Sequence, residues 1–156
     1  MNRKLLVAAL TVLLGVVATT AAAATATRGG DDHRLVIGVR VDFTTSSHAE
    51  GTFAACCAVN DSGRAQADVT SFVPQPNNTA TFEATETFSG SEGTFVVALR
   101  GRTGPLDSLR HIARGRWRVV SGTGAYADLR GSGVFTAVTD QNTGALTAVN
   151  NGSGHP

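Results

Sequence analysis

The sequence predicts an all-β protein, a single antiparallel β-barrel of about eight strands behind an N-terminal signal peptide. Three observations carry this prediction. The 156 residues, 42% hydrophobic and 16% charged, suit one globular domain and not a solvated disordered chain. Past the first 26 residues, apolar and polar side chains alternate with a period of two in successive short runs punctuated by Gly, Asn, Asp and Pro. Beyond that leader no window sustains a helical period; Pro105 to Arg110 has at most the makings of one helical turn.

The leader begins with Arg3 and Lys4, continues with an apolar run from Leu5 to Ala18, and ends in small residues. This is the pattern of a secretory signal peptide, with small residues at the required positions for a cut after Ala26 or after Ala24. Its Ala- and Thr-rich second half favours cleavage over retention as a membrane anchor, for which about 20 apolar residues are needed. Residues 1–26 therefore read as the signal peptide and the mature protein as secreted, without a membrane partner. Residues 27–34 and 151–156 are polar and glycine-bearing and read as loose ends around a barrel domain of residues 35–150.

Within that domain the first strand starts at Leu35, with Leu35, Ile37, Val39, Val41 and Phe43 on one face. Runs of the same type follow at 52–59, 65–72, 80–88, 93–100, 112–120, 133–139 and 145–149. Turn-forming clusters separate them at 60–63, 74–78, 89–93 and 140–144. Phe43, Phe53, Phe72, Phe82, Phe88, Phe95, Trp117 and Phe135 all fall on or at the end of a strand and are the expected core fillers.

Without Arg3 and Lys4, 11 basic residues remain against 12 acidic ones, a formal charge of −1 that does not advertise a nucleic-acid partner. Cys56 and Cys57 are adjacent with no third cysteine, which excludes a disulfide scaffold. Neighbours on a strand point to opposite faces, so the expectation is two separate small apolar residues and not a bridge. His33, His48, His111 and His155 lack partners at triad or metal-ligand spacing, so neither a metal nor a cofactor is indicated.

Glu86 stands out, because in Ala80, Phe82, Ala84, Glu86, Phe88 it occupies the apolar face. A carboxyl inside a barrel is desolvated, its pKa rises, and it is equipped for general acid or base work; the alternative is a bulge or a rim position paired with an arginine. Arg114, Arg116 and Arg118 share one strand face, with Arg100, Arg102 and Arg110 near in sequence. Glutamates on the preceding strands are placed to neutralise this stripe across the sheet.

The stretch from Trp117 to Phe135, WRVVSGTGAYADLRGSGVF, resembles the signature hairpin of allene oxide cyclase barrel-like proteins and their dirigent relatives. The matching elements are Val119-Val120, Gly122-Thr123-Gly124, the aromatic Tyr126, and Arg130-Gly131; Gly93 to Val97 matches loosely. The resemblance implies a calycin-like barrel with an interior cavity for an apolar small molecule, and a dimer or trimer as its assembly. It does not fix the activity, since that group spans cyclases, proteins that steer radical coupling and bacterial proteins without an assigned activity. The first expectation is a binding module whose ligand touches Trp117, Tyr126, Phe82, Phe95 and Phe135. The second is an isomerase or cyclase with Glu86 as catalytic acid or base, and the third a packed barrel acting through its surface.

Overall fold

The computed structural model describes residues 33–155; the signal-peptide reading of residues 1–26, and residues 27–32 of the expected loose segment, lie outside them. Eight strands follow in chain order: β1 (His33–Phe43), β2 (His48–Cys57), β3 (Asp61–Gln75), β4 (Thr79–Gly90), β5 (Thr94–Pro105), β6 (Arg110–Gly122), β7 (Arg130–Asp140) and β8 (Ala145–His155). Each pairs antiparallel with the next, and β8 returns to pair with β1, so the sheet is one closed barrel. The all-β barrel expected from the alternation is therefore the fold.

The strands run longer than the sequence rhythm suggests. Residues 151–155 belong to β8: Asn151 pairs with Val36 and Val134, and Ser153 with Arg34 and Ser132. Likewise His33 and Arg34 are paired residues of β1. The polar composition that reads as a loose tail serves instead to close the ring, because a closed sheet must satisfy both edges of its last strand. Pro105 to Arg110 forms no helical turn either. The Asp107 carboxylate accepts hydrogen bonds from the Leu109 and Arg110 amides at 2.9 and 2.8 Å, a local turn that competes with helix.

Bending eight strands into so narrow a ring brings backbones close together, and glycine pairs mark where. Phe82, Gly101, Gly115 and Phe135 form one inward-facing row across β4 to β7. The two phenyl rings stand 6.0 Å apart, and the Phe135 ring lies over the two glycines. A Cβ on Gly115 would stand 2.7 Å from the Phe135 ring and collide with the Arg100 carbonyl. A similar pair, Gly133 and Gly152, lies beside the buried Trp117, whose indole N–H donates to the Val134 carbonyl at 3.2 Å.

The end of the barrel where β1, β3, β5 and β7 begin is filled. Phe53, Phe88, Phe95 and Tyr126 stack with ring centroids 5.0 to 5.9 Å apart, and Leu129 is buried with them. Each such pair adds about 1 kcal/mol beyond its area burial. Tyr126 and Leu129 are delivered by the β6–β7 connection, a 3-10 turn at Gly124–Tyr126 that Gly124 enters at φ +60°. The Tyr126 hydroxyl donates to Asp61 at 2.7 Å, and the Asp61 carboxylate also accepts from the Ser62 amide at 2.8 Å and the Ser91 hydroxyl at 3.1 Å. Those donors hold the Asp61 carboxyl at about 2, well below the usual range.

Phe72 departs from the expected core. A bulge between Val69 and Ser71 puts it in register with Phe82 on the inward side, yet at the far end of β3 it is 58% exposed. Replacing Gly115 with Ala should cost about 2 kcal/mol or more in a urea melt, because the new Cβ would overlap the Arg100 carbonyl and the Gly101 Cα, backbone atoms that the β5–β6 pairing holds in place. Gly38→Ala, whose new Cβ meets nothing closer than 3.7 Å, should be neutral or mildly stabilising in the same experiment.

Candidate functional site

The inward side chains of β4 run from one end of the barrel to the other as Ala80, Phe82, Ala84, Glu86 and Phe88. Phe88 belongs to the packed aromatic cluster, whereas Phe82, Ala84 and Glu86 line a cavity of about 430 Å³. The cavity opens between the β1–β2 and β7–β8 turns, as Thr45, Ser46, Gln141 and Gly144 on its wall show. Its apolar wall includes Phe43, Val69, Leu99, Ala113, Phe135, Ala137, Leu146 and Ala148, and its polar rim includes His111, Thr139 and Asp140.

Among the described residues Glu86 is the one carboxylate deep in this interior, 5% exposed, and Asn150 on the opposite strand β8 is fully buried. The Asn150 side-chain amide donates to Glu86 Oε2 at 2.8 Å, a hydrogen bond that crosses the barrel. Burial pushes the Glu86 carboxyl up to about 7, against the weaker opposing pull of the Asn150 donor. Asn150 Oδ1 is buried without a hydrogen-bond partner. Once Glu86 is protonated, the reversed amide orientation becomes complementary, with the carboxylic O–H donating to Oδ1.

Residues 60–147, from the start of β3 to within β8, match the family described as a protein of unknown function, DUF3224. The chain belongs to this family. No curated protein and no solved structure matches the chain. Glu86, Phe82 and Phe135 lie inside the matched stretch, and Asn150 lies just beyond it.

Of the residues singled out from the sequence, Glu86, Phe82 and Phe135 meet at the cavity. Phe95 and Tyr126 do not line it; both are packed in the aromatic cluster at the filled end. Trp117 is also absent from the wall; it stands opposite Gly133 in the β6–β7 register, and its indole N–H donates to the Val134 carbonyl. The expected lining contracts to two phenylalanines because the barrel fills one half of its interior with the remaining aromatics. Asn150 escaped the sequence reading, although Leu146, Ala148 and Asn150 recur at the period of two that marks the inward face of β8.

The outer face carries different chemistry. Arg100 and Arg116 stand directly opposite each other across β5 and β6, as do Arg102 and Arg114, and Arg100 pairs with Glu83. His48, on the β1–β2 side of the barrel, bonds Asp68 at 2.6 Å and Glu50 at 3.3 Å, which raises its pKa. Among the described residues no group of three or more His, Cys, Asp or Glu side chains is placed to hold a metal ion.

The buried carboxyl makes a pH signature. Folding raises the Glu86 pKa from 4.5 to about 7, so between those values the folded chain binds more protons than the unfolded one. Its contribution to stability is therefore greatest below the unfolded value and falls as pH rises toward 7. Glu86→Gln should flatten that decline and make the protein more stable than wild type above pH 7, by on the order of 3 kcal/mol. Denaturant melts of both proteins across this range measure the difference.

Proposed function

We propose that the protein is a binding protein that holds one small, largely apolar molecule inside the barrel, with Glu86 hydrogen-bonded to the ligand's polar group. The observation that carries this reading is the cavity of about 430 Å³ with largely apolar walls and the Glu86 carboxyl deep within it. That volume lies within the roughly 300–1,000 Å³ of small-molecule sites, and one polar group in an apolar pocket fixes a ligand's orientation at little cost in affinity. The resemblance of the Trp117 to Phe135 hairpin to allene oxide cyclase barrel-like and dirigent proteins supports the same reading, since it implies an interior cavity. The signal-peptide pattern of residues 1–26 supports a secreted protein, which would meet its ligand outside the cell.

One observation favours a second reading, an isomerase or cyclase. A carboxyl held near 7 beside bound substrate passes a proton either way at neutral pH, as general acid–base catalysis requires. The two readings separate at Glu86: Gln in its place preserves shape and a hydrogen bond but removes proton transfer. Binding survives the substitution under the first reading, and turnover of a bound ligand disappears under the second.

An anilinonaphthalene dye should brighten saturably with one site per chain, and Ala137→Phe, which fills the cavity, should weaken it tenfold or more. Val149→Ala, on the exposed outer face, should bind as wild type does. A flat dye response in the folded wild-type protein contradicts the proposal.

A further inference from the structure

Cys56 and Cys57 end β2 at the filled end of the barrel, away from the cavity mouth. Continuing the inward series Phe53 and Ala55, alternation would send Cys57 inward and Cys56 outward. The structure does otherwise. Cys57 has φ +85°, in the left-handed region that residues carrying a Cβ rarely adopt, and both cysteines are exposed. Their Sγ atoms are brought to 2.7 Å, so the expectation of two thiols on opposite faces gives way to a contiguous pair.

The backbone around them is held independently of the sulfurs. Leu35 pairs with Cys57 and Val36 with Cys56, and the Ala58 amide donates to the Arg34 carbonyl at 3.0 Å. The barrel's own hydrogen bonding thus maintains the turn at Cys57. Unusual backbone kept in place by surrounding structure is a mark of functional positions. Two exposed thiols preset within reach of one another favour two-sulfur chemistry inside the chain over reaction with separate partners.

We propose that Cys56 and Cys57 form a vicinal dithiol that reacts with low-molecular-weight disulfides to give a Cys56–Cys57 disulfide. A thiolate of the pair attacks one sulfur of the small disulfide, breaking its S–S bond, forming a mixed disulfide and releasing the first small thiolate. The second cysteine gives its proton to solvent and attacks the protein sulfur of the mixed disulfide, releasing the second small thiolate. The protein loses two electrons and two protons, the small disulfide gains them as two thiols, and no other oxidant is needed.

The test uses oxidised glutathione on the reduced, folded full-length chain, followed by iodoacetamide and intact mass measurement without reductant. The expected product is a monomer lighter by two hydrogen atoms, carrying neither glutathione nor an alkyl group. Cys56→Ser and Cys57→Ser should each instead retain one glutathione. Wild-type chains that end with glutathione attached, that still take up two alkyl groups, or that link into dimers overturn the proposal. The wild-type masses decide by themselves, so a variant that folds poorly does not change the outcome.

Discussion

Ring closure is the constraint from which the other features follow. Once β8 pairs with β1, the eight strands enclose a volume of fixed width that side chains must fill or leave for something else. This chain does both. Phe53, Phe88, Phe95 and Tyr126 fill the end sealed by the β6–β7 connection, and Asp61 ties that seal to the start of β3 and to the β4–β5 turn. Toward the other end the inward positions shrink to Ala84, Ala113, Ala137 and Ala148, and a cavity remains. Glycine pairs allow the close curvature, and Phe135 rests on one of them with Phe82 packed beside it, so the mechanics of closure also shape the cavity wall.

Between the two halves lies the Glu86–Asn150 hydrogen bond. A buried carboxyl with one neutral partner is a costly choice for a residue whose only task is packing, since an apolar side chain of similar volume would serve better. Burial and the Asn150 hydrogen bond set its protonation, and it lies on the cavity wall, where a bound group would alter that balance. A ligand that donates a hydrogen bond favours the carboxylate, and a ligand that accepts one favours the protonated acid. Under the proposed binding role, the cavity would therefore couple occupancy to protonation at neutral pH without any moving part.

The sequence is most legible where period-two alternation is regular. The strand rhythm announces the barrel, and the inward placement of Glu86 follows from its position between Ala84 and Phe88. Tertiary demands hide the rest. Residues 151–155 look like a tail because Asn, Gly and Ser have low strand propensity, yet closing the ring requires them in β8. Phe95, Trp117 and Tyr126 look as suitable for a ligand as Phe82 and Phe135, because aromatic composition does not say which end of the interior is packed. The reversal at Cys57 lies in a backbone angle that no spacing of cysteines records.

Ligand binding inside the barrel requires accessible apolar space beside Glu86. Xenon in pressurised crystals probes that space without a chosen ligand, because the gas enters apolar cavities on its own. Xenon density inside the barrel against Phe82, Phe135 and Ala137 is the expected result. An interior closed by repacked side chains, with no xenon within it, would contradict the binding role.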